Sequence, residues 1–160
     1  MLKLSEIQDF VWERFRTVKA KPSMNRLIAF HTFNKYLFMA FSQVDLNAMG
    51  KLVANHEKLP ITSVLDNYEK SLAVILSKRP TRSRHANVLQ RMYGHFYDKL
   101  PPGRHEIIEH AISEYQKNNA ILGDVLHKLK LLTGEIDNIY LAKQSYFLLF
   151  SDKIGLESFH

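Results

Sequence analysis

Apolar side chains return every three or four positions along most of the chain, and prolines cut that rhythm into segments. Leu4, Ile7, Val11, Phe15 and Val18 keep the period first. After Pro60 it is kept by Ile61, Val64, Leu65, Tyr68, Leu72, Ile75 and Leu76, and beyond residue 103 by Ile107, Ile108, Ala111, Ile112 and Tyr115. A 3.6-residue repeat gathers such residues on one stripe of a helix but scatters them over both faces of a strand. Proline cannot donate inside a helix and pushes the residue before it out of helical geometry. Pro22, Pro60, Pro80 and the run Pro101-Pro102-Gly103 therefore mark boundaries. Ser23 is placed to cap the helix after Pro22, and Ser83 the one after Pro80. Gly50 interrupts a region that helices can flank, and Gly134 closes a helix over 120–132. No segment alternates strictly between apolar and polar, and there is no repeat, low-complexity segment or long linker. The pattern predicts an all-α fold, a single compact domain over 1–160 of about seven to eight helices.

At 160 residues the chain is long enough to bury a core without covalent staples. It has no cysteine, which removes disulfides, thiolate nucleophiles and cysteine-ligated metal. The net charge of +6 and pI near 9.5 favour a polyanionic partner, and fit an ordinary basic protein equally well. Acids interrupt the apolar residues of the first twenty positions, unlike a signal peptide. The densest apolar stretch, 27–41, is too short and too polar to cross a bilayer. A cytoplasmic protein with no membrane contact is expected.

Familiar enzyme signatures are missing: no G-x-S-x-G elbow, no P-loop, no G-x-G-x-x-G. RHEIIEH (104–110) resembles a zinc-protease helix, but His105 and His110 are five positions apart. Five residues turn a helix by about 140°, so the rings diverge. His127 is placed to complement a helix C-terminus. Glu6, Asp9 and Glu13 share a helix without forming a recognisable acid/base pair. No catalytic residue, metal site or cofactor is assigned.

Two helices carry polar residues in unusual places. The segment 24–42 is apolar nearly all round, except that His31, Lys35 and Ser42 fall within about 40° of one another. Lys35 either reaches an anion at the floor of a cleft or snorkels past Phe38 to water. In RHANVLQRMYGHF (84–96), Val88, Leu89, Met92 and Phe96 form the apolar face, and His85 interrupts it one turn before Leu89. Arg84, Arg91 and His95 lie about 80–120° round. The preceding KRPTRSR (78–84) brings Lys78, Arg79, Arg82 and Arg84 to a helix N-terminus, where a phosphate can bind. His85 is either a ligand or a core histidine bonded to a backbone carbonyl. Gly94 faces away from the apolar stripe, where close approach of a helix or ligand would account for it.

FHTFNKYLFMAFSQ (30–43), RHANVLQRMYGHF (84–96) and YLAKQSYF (140–147) resemble the signature blocks of the YbgA-like domain of unknown function, over about 24–150. That family occurs as a stand-alone protein and as the C-terminal half of tRNA 4-thiouridine desulfidases, whose iron–sulfur chemistry belongs to the other half. The resemblance implies tRNA as a partner, with a desulfidase-type enzyme as a possible second one. It places the family's polar pattern on His31, Lys35, Ser42, His85, Asn87, Gly94 and Gln144. Two departures stand out: Phe41, where the family often has histidine, and 117–132, which lacks the family's Gly-x-x-Pro-Leu run.

The expectation is a non-catalytic RNA-binding module. Arg79, Arg82, Arg84 and Arg91 would contact phosphates, and Lys35, His85, Asn87 and Gln144 would line the specific pocket. Tyr36, Phe38, Tyr93 and Tyr97 can stack on bases wherever they are exposed. The rivals are a small-molecule site or enzyme with a pocket of His31, Lys35, Ser42 and His85, and a module that docks a separate catalytic protein.

Overall fold

The computed structural model of the protein describes residues 2–133 and 144–150. Among these the chain is all-α, with nine α-helices, one 3-10 turn and no strand. The fold divides into two compact units, Leu2–Pro80 and a second that begins at Thr81.

The N-terminal unit contains α1 (Leu4–Ala20), α2 (Met24–Phe33), α3 (Lys35–Phe41), α4 (Gln43–Ala54) and α5 (Ile61–Leu76). Glu6 accepts the Lys3 backbone N–H at 2.6 Å and Ser23 Oγ accepts that of Arg26 at 3.1 Å, so both starts are capped. α1 buries Ile7, Val11, Phe15 and Val18, the stripe read from the sequence. α5 buries Val64, Leu65, Tyr68, Leu72, Ile75 and Leu76. The two stripes meet at an aromatic cluster, where Phe15 stacks on Tyr68 at 5.8 Å and lies 5.5 Å from Phe30.

The single helix expected over 24–42 is broken at Asn34. Its Nδ2 donates to the Phe30 carbonyl at 2.8 Å, competing with the backbone ladder, and its backbone leaves helical geometry at φ −105°, ψ 4°. A second break falls at Ser42, which is extended and whose Oγ accepts the Asp45 N–H at 3.2 Å to start α4. Gly50 does not interrupt; it lies inside α4, which ends at Asn55 with a left-handed φ of 48°.

The C-terminal unit contains α6 (Arg82–Phe96), a 3-10 turn (Tyr97–Lys99), α7 (Arg104–Gln116), α8 (Leu122–Thr133) and α9 (Ser145–Phe150). The cap of α6 is Thr81, whose Oγ1 accepts the Arg84 N–H at 3.2 Å, and Ser83 lies in the first turn instead. Val88, Leu89, Met92 and Phe96 are buried as expected. α6 packs on α7 and α8, α7 on α8, and α8 on α9. The Pro101-Pro102-Gly103 break ends in Gly103 at φ 87°, a conformation suited to glycine. α7 is closed by Asn118 at φ 64°; the N–H groups of Asn118 and Asn119 return to the carbonyls of Tyr115 and Glu114 at 3.0 and 2.9 Å. Gly94 is exposed, and a Cβ there would meet nothing within 4 Å, so close packing does not account for it. Gly134 and residues 140–143 of the third signature block lie outside the described residues.

Candidate functional site

A cleft of about 510 Å³ opens in the C-terminal unit. Its wall is the first turn of α6 (Arg82, His85), Tyr115 at the end of α7, the connection from Asn118 to Ile121, the first turn of α8 (Leu122, Asp124) and Phe150 of α9. That volume lies within the range of sites for small molecules or single nucleotides.

Arg82 is planted at the rim. Nη1 donates to the Tyr115 carbonyl at 2.8 Å, and the guanidinium carbon sits 4.9 Å from the Tyr115 ring centroid. The side chain is otherwise exposed, so its remaining N–H groups are available to an anion. One turn on, His85 is buried against Tyr146 and Phe150, with ring centroids 5.7 and 4.9 Å away. Its Nδ1 lies 2.6 Å from Tyr146 Oη. Tyr146 is fully buried, and its hydroxyl proton has no other acceptor among the described residues. The phenol therefore donates to Nδ1, which puts the imidazole proton on Nε2. Burial, reinforced by the charge of Arg82, pulls the His85 pKa down to about 4, so the ring is neutral at pH 7. Nε2–H has no partner among the described residues, and His85 lines the cleft.

His31 shows the same arrangement in the N-terminal unit. Its Nδ1 lies 2.9 Å from Oη of the fully buried Tyr68, which donates for the same reason. Burial, then the charge of Lys35, lowers its pKa to about 4. Lys35 itself is exposed at the start of α3, with Nζ 6.0 Å from the Tyr36 ring centroid. Ser42 is buried and committed to capping α4. The break at Asn34 resets the helix phase, so the stripe drawn through His31, Lys35 and Ser42 is not one face of one helix. His85 belongs to the other unit.

The remaining expected site residues differ in exposure. Arg79 and Arg91 are exposed, Arg84 and Asn87 half-buried, and Gln144 fully buried at the start of α9. Lys78 is ion-paired with Asp45. Of the four aromatics named for stacking, Tyr36, Phe38 and Tyr93 are buried and Tyr97 is half exposed. In RHEIIEH, His105 Nδ1 donates to Tyr93 Oη at 3.0 Å while Tyr93 donates to Glu109 at 2.7 Å. That relay links His105 and Glu109 of α7 to Tyr93 of α6. Burial and the bond to Glu109 push the Tyr93 pKa up. Among the described residues no three His, Asp or Glu side chains gather as metal ligands, and no helix is long and apolar enough to cross a membrane.

The sequence does not mark Tyr115, Asn118, Asn119, Asp124, Tyr146 and Phe150 as site residues, and Tyr115 enters it only as part of an apolar stripe. The Asn118-Asn119 pair just past the α7 pattern was the available signal, since asparagine tolerates the left-handed position that ends a helix.

The model of a family described as "Protein of unknown function (DUF1722)" matches residues 35–151. The chain is 25% identical over 131 residues to the "Uncharacterized protein YbgA" of Escherichia coli, covering 81% of this chain and 78% of that protein. No solved structure matches the chain significantly.

Proposed function

The chain belongs to the DUF1722 family of proteins of unknown function, and on that premise we propose that it is a non-catalytic RNA-binding module whose C-terminal cleft takes one unpaired nucleotide of a tRNA. The observation that carries the reading is that Arg82 and His85 line one cleft, with Nε2–H of His85 unengaged among the described residues. Arg82 holds a phosphate, His85 donates to a base carbonyl, and the amides of Asn118 and Asn119 read the base edge. A neutral histidine suits this task, because it offers a directed donor without the cost of a buried charge. The net charge of +6 supplies long-range attraction. The tRNA assignment rests on the resemblance of the signature blocks to the YbgA-like family, and on that reading the protein acts in the cytoplasm beside a thiouridine-modifying or de-modifying enzyme.

Titration of labelled tRNA at about 50 and 200 mM salt tests this. Binding is expected to weaken steeply with salt. Arg82→Gln and His85→Gln should each weaken it by about 1–3 kcal/mol, with the slope reduced only in the arginine variant. No binding at the lower salt, or parental affinity in both variants, overturns the reading. The cleft volume also favours a free mononucleotide as the second reading; saturable mononucleotide binding without tRNA binding would select it.

A further inference from the structure

We propose that a groove between α1 and α2 in the N-terminal unit is a second site, for a small oxyanion carried on a flat apolar body. Arg14 and Arg26 would hold the carboxylate or phosphate ester, and the body would lie on Phe30 and Phe33. The groove measures about 280 Å³ and is completed by Thr17, Val18, Ala29 and Asn34.

Three observations converge there. First, both described ion pairs use a lysine, Lys19 with Glu69 and Lys78 with Asp45, whereas Arg14 and Arg26 have no carboxylate partner among the described residues. Two guanidinium groups at one groove match the planar geometry of an oxyanion, which each can bind through two parallel N–H groups. Second, Arg14 is held in place, its guanidinium carbon 4.1 Å over the Phe10 ring centroid. Burial lowers its pKa, which raises the benefit of a bound anion. Third, Asn34 is 1% exposed, its Nδ2 is taken by the Phe30 carbonyl, and its Oδ1 has no hydrogen-bond partner. A buried amide oxygen left unmatched in a native fold calls for a donor, and a ligand or a water it orders would supply one. The volume admits one ring with its anionic group, not a drug-sized molecule. The groove shares no lining residue with the nucleotide cleft, and the failure of one reading leaves the other untouched.

The test uses the full chain with phenyl phosphate, benzoate and inorganic phosphate as probes, read by calorimetry and by backbone amide shifts. Saturable binding of phenyl phosphate or benzoate is expected, with shifts at Arg14, Val18, Arg26 and Phe33. Which of the two binds more tightly identifies the oxyanion. Binding should weaken at least tenfold in Arg14→Gln and Arg26→Gln. The shift map of the parent protein decides the matter even where a variant fails to fold. Shifts confined to residues 115–124, or inorganic phosphate binding as tightly as both ring-bearing probes, overturns the proposal. So does loss of tRNA affinity in Arg14→Gln without any small-probe binding, which would assign these arginines to an RNA track.

Discussion

Tyr146 donates its phenolic proton to Nδ1 of His85 across 2.6 Å, tying α9 to α6 and leaving the imidazole proton on Nε2 of a residue that lines the cleft. Tyr146→Phe removes the donor while keeping the ring. It leaves a buried imidazole nitrogen unmatched, at a cost of about 1–3 kcal/mol. Urea unfolding should register that loss. Nitrogen-15 imidazole spectra should show His85 leaving the pure Nε2–H tautomer. Unchanged stability together with an unchanged spectrum would mean the phenol does not set the tautomer.

His31 and His85 make stability depend on acid in a defined window. Each has a folded pKa of about 4 against an ordinary value of 6.5. The folded state therefore prefers the neutral ring, and the unfolded chain takes up the proton first. The stabilising contribution is complete above pH 6.5 and falls away as pH drops toward 4, by about 1.4 kcal/mol per pH unit for each histidine. Urea midpoints measured across that window should decline, and His31→Gln should remove about half of the slope. A flat profile from pH 7 to 5 would show that neither ring is held neutral.

Much of the fold was legible because its punctuation is local. Pro60, Pro80 and Pro101-Pro102 act through their own ring geometry, and the boundaries fell where they stand. The stripes of α1, α5 and α6 followed from period alone. The break at Asn34 did not, since it depends on one amide choosing the Phe30 carbonyl, and an apolar sequence on both sides hides that choice. The sequence leaves His85 as either a ligand or a core histidine bonded to a backbone carbonyl. Its observed partner lies 61 residues away, beyond any periodic signal. The basic turn was legible in composition, but Lys78 is paired with Asp45 and Arg82 is anchored to Tyr115, contacts that only the fold supplies.

Gly94 gives a simple stabilisation test. It sits exposed within α6, where a methyl group would meet nothing. Alanine there loses less backbone entropy on folding, so Gly94→Ala should stabilise the protein by about 0.5–1 kcal/mol. A rise in the urea midpoint at unchanged m-value is the expected reading. Destabilisation would reveal a contact at that surface.

Asn118 separates fold from binding most cleanly. At φ 64° it closes α7, and its side chain lines the cleft. Alanine pays the left-handed backbone cost, so Asn118→Ala should lose about 1 kcal/mol of stability. Glycine adopts that φ freely, and Asn118→Gly should match or exceed the parent. Both variants delete the amide that the proposed nucleotide would meet. If the cleft reads a base edge, Asn118→Gly will keep its stability and still bind tRNA several-fold more weakly. Parental affinity in that variant would remove Asn118 from the recognition surface while leaving its role at the helix end intact.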